Sequence, residues 1–333
     1  MRYSIIVPVF NRPDEVDELL QSLTTQTVKD FEVIIVEDGS AKPCADVVER
    51  YKDRLDMHYY VKENSGPGQT RNYGAERASG EYLIILDSDV IVPENYFAAV
   101  SEELDREPCD AFGGPDRSHP SFTDVQKAIS YSMTAFITTG GIRGGDVKLD
   151  KFYPRSFNMG IRRDVYASLG GFSKMRFGED IDLSIRIFKG GHSCRLFPDA
   201  WVYHKRRTDL RKFFRQVHNS GIARINLYKK YPESLKAVHL LPAAFTVGLL
   251  MVPILPVVMI PLLMLFVVAV FGEAMVKESR QSPLPKAAKI GALAVAAAFV
   301  QLVGYGTGFL RAFWERCVLG KGEFEAFKKN FYK

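Results

Sequence analysis

Cysteine is scarce and scattered: Cys44, Cys109, Cys194 and Cys317 are the four in 333 residues, and none forms a Cys-x-x-Cys pair. That spacing excludes a zinc knuckle and a disulfide framework, and reduced thiols in the cytosol are expected. A cleavable signal peptide is not expected, because the first apolar run is short and reads as a strand. The chain also lacks internal repeats and low-complexity tracts. Its net charge of +5 is modest and concentrated beside the apolar carboxyl-terminal part. Such a charge argues for lipid headgroups and against nucleic acid as a partner.

What the chain does have is long apolar sequence. From Leu240 to Phe271 no residue is charged, which exceeds the roughly 20 residues a helix needs to cross a bilayer. A second uncharged run extends from Ile290 to Leu310. Pro242, Pro253, Pro256 and Pro261 interrupt the first run, so it is either one kinked helix or two short ones. Two or three crossings follow. Between Lys205 and Lys230 there are nine Lys or Arg and a single acid, Asp209, a bias that marks a cytoplasmic segment facing anionic lipid. Leu210, Phe213, Phe214 and Val217 give residues 209–228 the apolar face of an interfacial helix, or of a basic helix packed on the preceding domain.

The amino-terminal half reads as alternating strands and helices. Ser4 to Asn11 is a buried strand entering a turn, and Pro13 opens a helix with Val16, Leu19, Leu20 and Leu23 on one face. Phe31 to Val36 and Met57 to Val61 are further strands, followed by a glycine-rich loop from Asn64 to Asn72 that leads into a helix. Tyr82 to Leu86 then ends in Asp87-Ser88-Asp89. This α/β alternation predicts a mostly parallel sheet covered on both faces. Ligands of such sheets lie beyond the carboxyl ends of the strands, where paired carboxylates suit Mg2+ or Mn2+ together with a diphosphate. Solvated loop acids or a cap ahead of Pro93 would produce the same tripeptide.

Taken in order, several motifs resemble the inverting family 2 glycosyltransferases with the GT-A nucleotide-sugar fold. They are Ile6 to Asn11, Val36 to Ser40, Gly68 to Arg71, Asp87 to Asp89, Asn158-Met159-Gly160 with Gly170-Gly171-Phe172, and Gly178-Glu179-Asp180. The likeness covers about residues 3–205. The resemblance implies a GT-A domain over 1–205; charge and apolar runs then mark a basic interfacial segment over 206–236, a transmembrane region of two or three helices over 237–313 and a basic tail over 314–333.

For the donor site, the resemblance implies that Pro8, Val9, Phe10 and Asn11 line a base pocket through backbone atoms. Asp38 would accept a hydrogen bond from uracil N3–H, or serve as a turn-forming Asx before Gly39. Arg71, at a helix start, would meet uridine or its phosphates, or be a surface arginine. Asp87 and Ser88 fall near the nucleotide, and the cation falls chiefly to Asp89, with Asp87 reaching it through water. His204 looks like the late histidine that completes such a site, though a surface residue or a phosphate contact fits the same position.

Asp180 lies in the first turn of a helix whose expected apolar stripe is Ile181, Ile185 and Phe188, near the positive end of the helix dipole. The resemblance makes it the catalytic base, with Glu179 orienting acceptor or base. Residues 138–146 form either an acceptor loop or an irregular connection. The expected activity is therefore transfer from a nucleotide-diphosphate sugar, a UDP-sugar by preference, to a lipid-linked or surface-glycan acceptor, with Mn2+ or Mg2+ as cofactor. A sugar-nucleotide-forming nucleotidyltransferase would share the fold, but no glycine-rich loop with a basic signature follows the first strand. A silent nucleotide-binding membrane scaffold is the third reading.

Overall fold

The computed structural model describes residues 1–140 and 152–323. Seven strands form a mixed sheet in the order β3-β2-β1-β4-β8-β6-β9. These are β1 (Tyr3–Val9), β2 (Phe31–Asp38), β3 (Asp56–Lys62), β4 (Tyr82–Leu86), β6 (Ala111–Gly113), β8 (Asn158–Arg162) and β9 (Cys194–Leu196). A small second sheet joins β5 (Val90–Ile91), β10 (Val202–His204) and β7 (Asp116–Arg117). The first four strands of the large sheet are parallel, whereas β8 runs antiparallel to β4 and β6. Mostly parallel therefore holds only for one side of the sheet.

Strand period explains the two layers. Tyr3, Ile5, Val7 and Val9 of β1, with Phe31, Val33 and Ile35 of β2, share one core with α1 (Pro13–Thr24), α2 (Ala45–Glu49) and α4 (Tyr96–Arg106). Ile6, Ile34 and Val36 face the other way. There they join α3 (Pro67–Ala75), α7 (Arg163–Ser168) and α8 (Glu179–Lys189). The face of α8 differs from the expected stripe. Leu183 and Ile187 are its fully buried apolar residues, while Ile181 and Phe188 are only partly covered. The helix lies flat on a sheet and buries a wide face, so Asp182 and Ser184 go in with them.

The chain divides into two compact units, residues 1–117 with 152–204, and residues 118–140 with 205–323. The first unit leaves out residues 118–140, which the expected domain over 1–205 includes. Residues 118–140 belong with the carboxyl-terminal part because α5 (Asp124–Thr134) buries Ala128, Ile129 and Met133 in one cluster with Ala294, Ala297 and Ala298 of α12 (Leu284–Phe313). Lys127 Nζ to Glu278 at 2.8 Å and Tyr131 Oη to Glu273 at 3.0 Å fasten it further. A short α6 (Phe136–Thr139) follows α5. Of the glycine-rich stretch 138–146, everything after Gly140 lies outside the described residues, as do residues 324–333 of the basic tail.

The same unit contains α9 (Leu210–Lys230), α10 (Leu241–Met251) and α11 (Pro256–Ser279). The first apolar run is thus two helices, broken over residues 252–255. Helices α11 and α12 are long and apolar enough to cross a membrane by length and composition, and α10 is shorter. Helices α9 and α12 meet backbone to backbone. A Cβ on Gly308 would sit 2.0 Å from the His218 carbonyl oxygen, and one on Gly221 would sit 2.2 Å from that of Tyr305. Small residues permit this approach, and a side chain there has nowhere to go. Gly308→Val is expected to cost about 1–3 kcal/mol, read as a lower thermal midpoint in detergent. Gly272→Ala, with open space around the added carbon, should leave the midpoint unchanged or raised.

Candidate functional site

The site is assembled at the exits of β1, β2 and β4. Asn11, just beyond β1, adopts a left-handed φ of 56°, which Asn tolerates better than most residues. Its Oδ1 accepts the Ala41 and Lys42 N–H groups at 2.7 and 2.9 Å, and its own N–H donates to Ser40 Oγ. The side chain thus ties the β1 exit to the β2 exit, a role beyond the backbone lining expected of it. Pro8 and Phe10 are partly buried and Val9 is buried.

Asp38 is fully buried and accepts from Lys62 Nζ at 2.7 Å, Asn64 Nδ2 at 3.2 Å, Ser65 N at 2.8 Å and Gly66 N at 2.9 Å. A carboxylate has about four acceptor sites, and these donors use them. These contacts tie the β2 exit to residues 62–66, with Lys62 as the counter-charge of Asp38.

Asp87, Ser88 and Asp89 follow β4 directly. The register of the small sheet pairs His204 with Val90, which brings the imidazole beside Asp89. His204 Nε2 is 3.3 Å from Asp89 Oδ1, and one ligand atom from each of Asp87, Asp89 and His204 lies within 4.8 Å of the others. Phe157 stacks on the imidazole at 4.8 Å between centroids. His204 Nδ1 is buried without a hydrogen-bond partner. Two carboxylates and an imidazole form a donor set suited to Mn2+, and less so to Mg2+, which prefers oxygen alone. Arg12 was not singled out by sequence, although it directly follows Asn11. Its Nη1 donates to Asp89 Oδ2 at 2.8 Å and to Glu15 Oε2 at 2.7 Å.

Arg71 is 3% exposed and serves the protein's own acids. Nη2 donates to Asp87 Oδ1 at 2.7 Å, Nη1 donates to Glu179 Oε1 at 3.2 Å, and the guanidinium lies 5.2 Å from the Phe172 ring centroid. These contacts make Arg71 a bridge between the β4 acids and α8. Gly178, at a φ of 85°, turns the chain into α8 and sets Glu179 and Asp180 in its first turn.

Those two acids diverge electrostatically. Burial and the charge of Asp180 push the Glu179 carboxyl up to about 7, against the pull of Arg71. Burial acts on Asp180 in the same sense, but Arg155, the Ile181 N–H and Arg71 outweigh it and hold the carboxyl below its ordinary value. Arg155, also missed by sequence, donates from Nε to Asp180 Oδ2 at 2.6 Å. Asn158, in a quoted motif but given no role, is buried between Tyr96 Oη at 2.6 Å and the Ala200 carbonyl at 2.8 Å.

A mixed sheet whose parallel strands end in an Asp-x-Asp loop, facing a helix that starts with two acids, defines a GT-A-type domain. The chain belongs to glycosyl transferase family 2: the family model, Glycosyl transferase family 2, matches residues 4–170, half of its length. Among curated relatives it is similar to a putative glycosyltransferase EpsH of Bacillus subtilis, 39% identical over 95 residues, or 28% of this chain and 27% of that protein. It is also similar to the poly(ribitol-phosphate) beta-N-acetylglucosaminyltransferase TarS of Staphylococcus aureus, 37% identical over 93 residues, or 27% of this chain and 16% of TarS. The chain spans between 13% and 27% of the length of such relatives. In fold it is similar to the mannosyltransferase PcManGT of Pyrobaculum calidifontis, solved with GDP-Man and Mn2+. There the TM-score is 0.60 at 17% identity, over 95% of this chain and 88% of that one.

Proposed function

We propose that the protein is a membrane-anchored, metal-dependent inverting glycosyltransferase that takes its sugar from a nucleotide-diphosphate donor, a UDP-sugar by preference. The acceptor we assign is a lipid-linked or cell-surface glycan precursor. The observation that carries the reading is the Arg71 bridge, because it joins the Asp87 side of the site to the Glu179–Asp180 turn. Asp180 accepts the proton of the acceptor hydroxyl as that oxygen bonds to the anomeric carbon. The bond from that carbon to the diphosphate breaks with its electron pair leaving on the diphosphate oxygen. Glu179 orients the acceptor. Asp89, Asp87 and His204 would hold Mn2+ or Mg2+, which when bound supplies neutralisation of the diphosphate charge.

Membrane anchoring rests on α11, whose Val257, Met264, Leu265 and Val268 are exposed along a span-length helix. Arg211, Lys212, Arg215, Lys229 and Lys230 are exposed on α9, which supports an interfacial helix against anionic lipid and a cytoplasmic catalytic domain. The test is calorimetric binding of UDP, GDP and CDP to the detergent-purified protein with Mn2+ or EDTA, beside Asp89→Ala. UDP binding that needs both Mn2+ and Asp89 is the expected outcome. No nucleotide binding under any condition would overturn the transferase reading and the nucleotide-binding scaffold with it.

A further inference from the structure

The turn that enters β8 is fastened to α8 at two successive levels. Arg155 Nε donates to Asp180 Oδ2 at 2.6 Å, and one helical turn further along Ser184 Oγ donates to the Pro154 carbonyl at 2.9 Å. The base of this turn is itself fixed. Arg155 bridges Asn158, whose N–H donates to the Arg155 carbonyl at 3.0 Å, and the Asn158 side chain is locked between Tyr96 and Ala200. A guanidinium held on a rigid turn costs little entropy to keep in place, so its geometry toward Asp180 is set before any substrate arrives. The second oxygen of Asp180 accepts the Ile181 N–H at 2.8 Å. Both oxygens are thereby aimed, and each keeps a lone pair for a further hydrogen.

We propose that Arg155 is a positioning residue for Asp180: docked through the Pro154–Ser184 contact, it orients the carboxylate in a buried site. The inference deepens the catalytic reading above and rests on it only for the consequence to the reaction. Among the described residues the other charges facing Asp180 are Arg71 from α3 and Glu179 on its own helix, and Arg71 is shared with Asp87. Arg71 is shared among acids, whereas among the described residues Arg155 pairs with Asp180, so removing Arg155 should release the Asp180 proton affinity most directly.

The test needs no ligand. In detergent-solubilised protein carrying 13C-carboxyl aspartate, the Asp180 resonance is assigned by its loss in Asp180→Asn and titrated in wild type, Arg155→Gln and Arg155→Lys. The expected result is a midpoint below the ordinary aspartate range in wild type, raised by about one to three pH units in Arg155→Gln and largely restored in Arg155→Lys. An unmoved midpoint in a folded Arg155→Gln protein would overturn the proposal. Should that variant fail to fold, the wild-type Arg155 Nε–H proton decides. It should be shifted downfield, slow to exchange and lost with the Asp180 midpoint, and a rapidly exchanging signal would refute the contact. These readouts bear on Arg155 alone, since an inactive Asp180→Asn enzyme together with an unmoved Asp180 midpoint in Arg155→Gln would leave the catalytic reading standing and sink this one.

Discussion

Asp180→Asn should lower turnover by about 10²–10⁴-fold while leaving nucleotide affinity within a few-fold of wild type. The split follows from geometry. Asp180 lies outside the Asp87, Asp89 and His204 cluster, and its own partners are Arg155 and the Ile181 N–H. An Asn retains the shape and one oxygen acceptor but has no proton affinity near neutral pH, so it cannot take the acceptor hydroxyl's proton. Calorimetric UDP binding beside initial rates on a shared donor and acceptor panel would measure both quantities. A variant with normal turnover ends the assignment of Asp180 as base, and a variant that loses UDP affinity as steeply as Asp89→Ala would place Asp180 in the donor site instead.

The positions legible in the sequence are those whose geometry is local. A strand that exits into Asn11, Asp38 or Asp87 sets its acid or amide at the sheet edge by chain direction alone, and Gly178 sets Asp180 in a first helical turn in the same way. The basic helix was legible too, at 209–228 against the observed Leu210–Lys230, because amphipathic spacing and charge both mark it. Pairings between distant residues were not. Arg12 reaches Asp89 across 77 residues and Arg71 reaches Glu179 across 108, and no periodicity encodes either contact. Asp38 shows the same limit from the other side, since a polar residue at a strand exit reads alike whether it faces a ligand or four internal donors. The assignment of α5 to the carboxyl-terminal unit was likewise hidden, because an amphipathic helix does not declare which apolar surface will cover it.

Arg71→Gln should cost about 3–5 kcal/mol, the expected loss when one member of a buried ionic cluster is removed and its partners are left uncompensated. Two features raise the cost at this position: the guanidinium is nearly inaccessible, and it serves Asp87 and Glu179 at once. Burial and the charge of Asp180 already push Glu179 toward its neutral form, so the cost is largest where Glu179 is ionised. The same features give the loss a pH dependence of definite sign. In wild type the folded Glu179 titrates near 7, above its ordinary value, so the folded state holds a proton that the unfolded chain has released. Stability from this group therefore falls as pH rises through that window. Without Arg71 the folded carboxyl would be raised further, which extends the fall to higher pH. At pH 5 Glu179 is neutral with or without Arg71, and the variant's deficit reduces to what Asp87 loses. The difference in denaturation midpoint between wild type and Arg71→Gln should accordingly be smaller at pH 5 than at pH 8. A deficit that grows toward acid would mean that Arg71 is not the counter-charge of Glu179. An Arg71→Lys variant that restores only part of the stability would show that the forked geometry matters as well as the charge, because one ammonium cannot present two parallel donors to acids on separate elements.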